Sequence, residues 1–111
     1  MKVTNSFNIQ IWVGLREGYG ENINTIEDVR NICKNYVNEI KDCITITPTE
    51  YIYVDGTEPG VIIGYINYPR FPRTSKELKR RAFGLAKILL KDLNQNRISI
   101  TTKNKTYMLE K

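Results

Sequence analysis

Histidine is absent from the 111 residues. With it go the commonest general base, the imidazole-centred Ser and Cys triads, and the commonest transition-metal ligand. Cysteine is scarce. Cys33 and Cys43 are too few for a disulfide framework and lie ten residues apart, which fits no common zinc pattern, so they read as two reduced, mostly buried thiols. Long apolar runs are missing too. The longest, such as Val61 to Ile63 and Ile88 to Leu90, fall far short of the ~20 residues a membrane span needs. Met1 to Asn5 holds no apolar stretch of signal-peptide length, so the expected location is cytoplasmic, with no membrane partner. Gly18-Tyr19-Gly20 lacks the third glycine of a dinucleotide fingerprint, and no Gly-Lys-Ser/Thr phosphate loop occurs.

What is present suits one globular domain spanning residues 1–111: a hydrophobic share of 41% beside a charged share of 26%. Seventeen basic against 12 acidic side chains give a formal charge of +5, which favours anionic partners but falls short of the dense basic arms of nucleic-acid proteins.

Phe7, Ile9, Ile11, Val13 and Leu15 alternate with polar or small residues and Trp12, predicting a first strand over 6–15 with one buried face. Thr25 with Asp28 resembles a capping box, and Ile26, Val29, Cys33, Tyr36, Val37 and Ile40 recur at helical spacing, predicting a helix over 26–41. Ile44 to Thr47 reads as a strand interrupted or bent at Pro48 and resumed over Tyr51 to Val54, with loops at Asp55-Gly56 and Pro59-Gly60. Val61 to Tyr68 reads as a central strand, stopped by Pro69 and Pro72. Thr74 with Glu77 opens a second helix to about Leu93, whose Leu78, Ala82, Leu85, Leu89 and Leu93 form an apolar stripe. Arg97 to Thr102 and Thr106 to Leu109 close the chain as a hairpin. The predicted fold class is therefore α+β, β-α-β-β-α-β-β, with two helices on one face of a mostly antiparallel sheet in a ferredoxin-like arrangement. Trp12 falls on the face away from the helices, predicting a homo-oligomer that buries it.

No cofactor is called for, and no metal-ligand cluster or paired carboxylates can be picked out, so the expectation is a binding protein rather than an enzyme. The candidate ligand site is built on Arg70, Phe71 and Arg73, which set two guanidiniums and a ring beside the N-terminus of the second helix. Arg16, before the two glycines, is a second candidate, Arg80 and Arg97 are further cations, and Trp12 is a further candidate for ligand contact. Glu17, Asp28 and Glu58 stand unpaired, and Glu77 reads as a cap.

Three runs carry a family resemblance: Val13-Gly14-Leu15-Arg16-Glu17-Gly18-Tyr19, Glu58-Pro59-Gly60-Val61-Ile62-Ile63-Gly64, and Tyr68-Pro69-Arg70-Phe71-Pro72. They resemble the small phage proteins of the first-described Thoeris anti-defense sponge family. The resemblance implies binding and sequestration, without cleavage, of cyclic ADP-ribose isomers made by a bacterial TIR-domain enzyme in the infected host. It also implies hexamers built from dimers, with some members holding cyclic oligonucleotides, and it casts Phe71 as an adenine stacker and Arg16 as a phosphate or ribose partner. Two rival readings remain. A nucleic-acid-binding module would use the same cations and rings. A tautomerase-like enzyme would need a general base, and Lys2 stands where tautomerases carry proline.

Overall fold

The computed structural model describes residues 1–111 and contains seven elements. They are β1 (Asn8–Gly14), α1 (Ile26–Ile40), β2 (Thr45–Tyr53), β3 (Gly56–Ile66), α2 (Ser75–Asp92), β4 (Arg97–Thr101) and β5 (Thr106–Glu110). The strands form one antiparallel sheet in the order β2-β3-β1-β4-β5, the ferredoxin-like arrangement with a fifth strand added at one edge. The β-α-β-β-α-β-β order and the helices on one face agree with the pattern read from the sequence. No helix is long and apolar enough to cross a membrane.

Period-two alternation decides which strand residues are buried. Ile9, Ile11 and Val13 of β1 meet Val61, Ile63 and Tyr65 of β3 and Ile98 and Ile100 of β4 under the helices. The helices contribute Val29 and Cys33 from α1 and Leu78, Ala82, Leu85, Ala86 and Leu89 from α2. Gly84 of α2 lets the helices approach, since a Cβ there would lie 2.5 Å from the Tyr36 hydroxyl. That hydroxyl donates to the Arg81 carbonyl at 2.9 Å.

The helix starts follow their caps. Around Thr25 both halves of the capping box form. At Thr74 only one half does: the Thr74 hydroxyl accepts the Glu77 N–H at 3.1 Å, while the Glu77 carboxylate pairs with Arg73 at 3.6 Å.

Three expectations about β2 and β3 need correction. Pro48 does not interrupt its strand, because β2 lies at the sheet edge, where a missing N–H breaks no ladder bond. Pro59-Gly60 is not a loop, since β3 begins at Gly56 and the turn is confined to Val54 and Asp55, the latter at φ 62°. Asn67 leaves the strand to tie its surroundings, donating to the Asn5 carbonyl at 2.8 Å and accepting the Arg73 N–H at 2.8 Å.

Candidate functional site

The open face of the sheet has a notch where β1 ends. Gly14 of β1 pairs with Gly60 of β3, so neither strand places a side chain there. Two neighbours lean into the space. A Cβ on Gly14 would lie 2.7 Å from Glu58 Oε2, and one on Gly60 would meet the Tyr51 ring. Tyr51 and Glu58 are themselves partners in the β2–β3 ladder, so carboxylate and phenol flank one concavity from the same side. Trp12, Arg97 and Ser99 continue its wall, and Arg16, Tyr19, Gln95 and Asn96 form the rim of a cavity of about 270 Å³.

The rim is held by a proline. Leu15 N–H donates to the Pro59 carbonyl at 3.0 Å, but Pro59 has no N–H to return. The unused Leu15 carbonyl accepts the Asn24 backbone N–H at 2.7 Å and the Asn24 side-chain amide at 3.2 Å. The same amide donates to the Leu93 carbonyl at 2.9 Å, which fastens the loop to the end of α2. Buried Gln95 repeats the device, donating to the Arg16 carbonyl at 2.7 Å and the Leu93 carbonyl at 3.2 Å. Gly18 takes φ 52°, a conformation costly for other residues, and its N–H donates to the Asn94 carbonyl at 3.0 Å.

Glu58 Oε2 accepts the Arg16 backbone N–H at 3.3 Å, while the Arg16 guanidinium makes only a long contact, 3.5 Å, to the Thr57 carbonyl. Most of its donors stay free for a ligand. The Tyr51 phenol is pushed up to about 12, by burial first and by the Glu58 negative charge second, so it remains a neutral donor at physiological pH. Trp12 Nε1 donates to Thr101 Oγ at 3.0 Å, which orients the indole across the open face. The chemical capacity is that of a small polar cleft with one carboxylate, one neutral phenol, an indole and two guanidiniums.

Of the residues singled out in the sequence, the fold gathers Trp12, Arg16 and Arg97 here. It does not bring Arg70, Phe71, Arg73 or Arg80 to them. Those four follow the far end of β3 or sit on early α2, at the opposite end of the sheet. Phe71 is 40% exposed and stacks in a tilted arrangement on Tyr68, with centroids 5.4 Å apart. Arg73 is occupied by Glu77 and by the Lys41 carbonyl at 3.3 Å. Tyr51, Gln95, Asn96 and Ser99 were not anticipated, and Glu58 was read as unpaired. For Tyr51, Glu58 and Ser99 the one sequence signal is period-two placement on the open face, which becomes informative only with the strand register in hand, and Gln95 and Asn96, in the turn between α2 and β4, carry none.

No protein-family model matches the chain, and no curated protein matches it in sequence. Solved structures match its fold. A phage SAM lyase in complex with S-methyl-5′-thioadenosine aligns with a TM-score of 0.83 at 18% identity, over 100% of this chain and 94% of that one. A phage SAM lyase in the apo state aligns at 0.76 and 21% identity, over 95% and 89% of the two chains. Both neighbours are phage proteins, as are the members of the family the sequence resembles, and one of them holds a small adenosine-containing molecule. Nothing in the neighbours carries the Thoeris specificity or the hexamer. The expectation of a non-catalytic chain is contradicted by these neighbours, since both are lyases built on the same fold. Missing imidazoles and unpaired carboxylates argue against acid-base chemistry only, whereas positioning and electrostatics can also break a bond.

Proposed function

We propose that the protein is an enzyme that cleaves an adenosine-bearing sulfonium of the S-adenosylmethionine type, with its site in the cavity of Trp12, Tyr51 and Glu58. The observation that carries this reading is the placement of the Glu58 carboxylate beside Tyr51 and Trp12 in a cleft of a lyase-like fold. Converting such a sulfonium to S-methyl-5′-thioadenosine breaks the bond between sulfur and the γ-carbon of the amino-acid arm. The electron pair passes to sulfur. The substrate's own carboxylate closes on that carbon, so the products are a neutral thioether and homoserine lactone. No proton is transferred and no outside reagent is consumed, which suits a chain without histidine.

Such a step needs geometry and field. Glu58 attracts the sulfonium, and Trp12 and Tyr51 in the same wall supply aromatic rings that favour a cation. Arg16 and Arg97 draw the substrate carboxylate to the mouth, and Asn96 and Ser99 supply polar partners for the nucleoside. Opposite charges on sulfonium and carboxylate cancel as the bond breaks, so a site that excludes water favours the transition state over the separated charges.

Chromatography of S-adenosylmethionine incubated with the protein tests the reading. The expected result is S-methyl-5′-thioadenosine accumulating beyond one equivalent per chain, with kcat reduced on the order of a hundredfold in Glu58→Gln. Absence of product, or unchanged turnover in a folded Glu58→Gln protein, overturns it.

Phosphate-bearing adenosine compounds, among them cyclic ADP-ribose isomers, are a second candidate ligand class, favoured by the two guanidiniums at the mouth. Parallel titrations of both classes against Glu58→Gln decide between them, because only recognition of the sulfonium loses affinity when that carboxylate is neutralised, whereas an anionic phosphate binds as well or better. The open face also supports a homo-oligomer. Ile62, Trp12, Ser99 and Met108 lie in one row across β3, β1, β4 and β5, with Met108 55% exposed. Trp12→Glu should elute as a smaller species than the unmodified protein; an identical elution volume counts against a copy seated there.

A further inference from the structure

A second and larger concavity, about 610 Å³, lies at the opposite end of the sheet from Glu58. Its walls are the segment leading into β1, the start of α2 and the β4–β5 turn. Four lysines line it, Lys76 and Lys79 from α2 with Lys103 and Lys105 from the turn, and no Asp or Glu joins them. The chain has 12 carboxylates, so this segregation is not forced by shortage. The ion pairs of the molecule use Arg30, Arg73 and Arg81 and none of these lysines.

Lys79 is the one lysine of the four with a side-chain partner, and that partner is neutral: its ammonium donates to the Tyr107 hydroxyl at 2.7 Å. The Tyr107 phenol is held below its ordinary value, first by that hydrogen bond and also by the charges of Lys79 and Lys105. Positive potential from helix and turn therefore converges on one spot. Like charges gathered without counter-charge repel, and a multiply charged anion seated among them removes the repulsion.

We propose that this concavity is a binding site for a compact polyphosphate, such as the triphosphate of a nucleotide, held by Lys76, Lys79, Lys103 and Lys105. Two features favour a compact ligand over a nucleic-acid strand. The lysines close around a single concavity of a size usual for small-molecule sites, roughly 300 to 1,000 Å³, rather than tracing a path. The two aromatic rings at its wall are engaged, since Phe7 packs against the core and Tyr107 carries Lys79 4.7 Å from its centroid and meets Phe83 edge-on at 5.1 Å, leaving no platform for successive bases. The site is independent of the Glu58 cavity and stands or falls separately from any activity there.

Calorimetric titration with inorganic tripolyphosphate, adenosine triphosphate and a single-stranded oligonucleotide at low salt tests the proposal. Lys103→Glu with Lys105→Glu reverses two exposed turn charges, and Lys34→Glu with Lys87→Glu is a control of equal net charge on exposed helix positions elsewhere. Lys76→Gln serves as a milder second variant. The expected result is one tripolyphosphate per chain, weakened about tenfold or more in the turn variant and measurably in Lys76→Gln, with the control close to the unmodified protein. Three results overturn the proposal: no binding at millimolar tripolyphosphate, equal loss in turn variant and control, or affinity that grows with oligonucleotide length and exceeds that for tripolyphosphate.

Discussion

Tyr51 and Glu58 stand opposite each other in the β2–β3 ladder, and each leans over a glycine, Tyr51 over Gly60 and Glu58 over Gly14. The two glycines are themselves ladder partners. The notch and the groups that fill it are thus one construction, which makes the notch sensitive to a single methyl group.

Gly60→Ala should show this. The new Cβ would meet the Tyr51 ring and lie 2.7 Å from the Val13 carbonyl, which is backbone and cannot move aside cheaply. Overpacking of this kind costs about 1 to 3 kcal/mol, read as a lower urea midpoint at unchanged slope, together with weaker nucleoside binding as Tyr51 is displaced. A variant with the stability and affinity of the unmodified protein would show that the ring does not rest on Gly60.

Asn24→Ala removes the amide that bridges the Leu15 and Leu93 carbonyls. The expected loss of stability is about 1 to 3 kcal/mol. Hydrogen exchange should rise in residues 16–23 while β1 and β3 stay protected. Uniform exchange across the chain would mean that Asn24 supports the whole domain rather than the rim.

Phe71→Ala separates the two ends of the sheet. With Phe71 40% exposed and remote from Glu58, the truncation should leave kcat/KM and ligand affinity at the Glu58 cavity within error. A tenfold loss would return the Phe71 loop to the site.

Alkaline pH should destabilise the protein through Cys33. Burial pushes its thiol up from 9.0 to about 11, so as the pH climbs the unfolded chain gives up its proton first. The contribution is fully present below pH 9 and is lost as the pH rises to about 11, with Tyr51 adding a similar loss between 10.0 and about 12. Urea midpoints should fall over that window. Cys33→Ala, less stable at neutral pH because of the cavity it leaves, should show a shallower fall there. An equal fall in both proteins would assign the slope to other groups.

Legibility in the sequence tracked how local each determinant was. Both helices could be read from Thr25, Thr74 and the apolar stripes behind them, and β1 from strict alternation. The turn chemistry of Pro59-Gly60 delays the predicted start of β3 by five residues, and it is the Leu15 carbonyl's alternative partner, Asn24, that explains why a proline is tolerated inside that strand. Trp12, Arg16 and Arg97 were chosen as isolated side chains, and the fold shows that they share one cleft.

The sequence by itself determined the helices, the alternation of β1 and the α+β layout, because caps, periods and turn residues act over a few neighbouring positions. It also determined, through the missing histidine, that imidazole chemistry has no place here. The tertiary structure alone decided which charges meet. Register across β2, β3 and β1 sets Glu58 beside Tyr51 over two facing glycines, and the closing hairpin carries Lys103 and Lys105 to the start of α2. Sites of this kind depend on strand pairing between distant segments, and that pairing is fixed by how the whole apolar face packs rather than by any short run of residues.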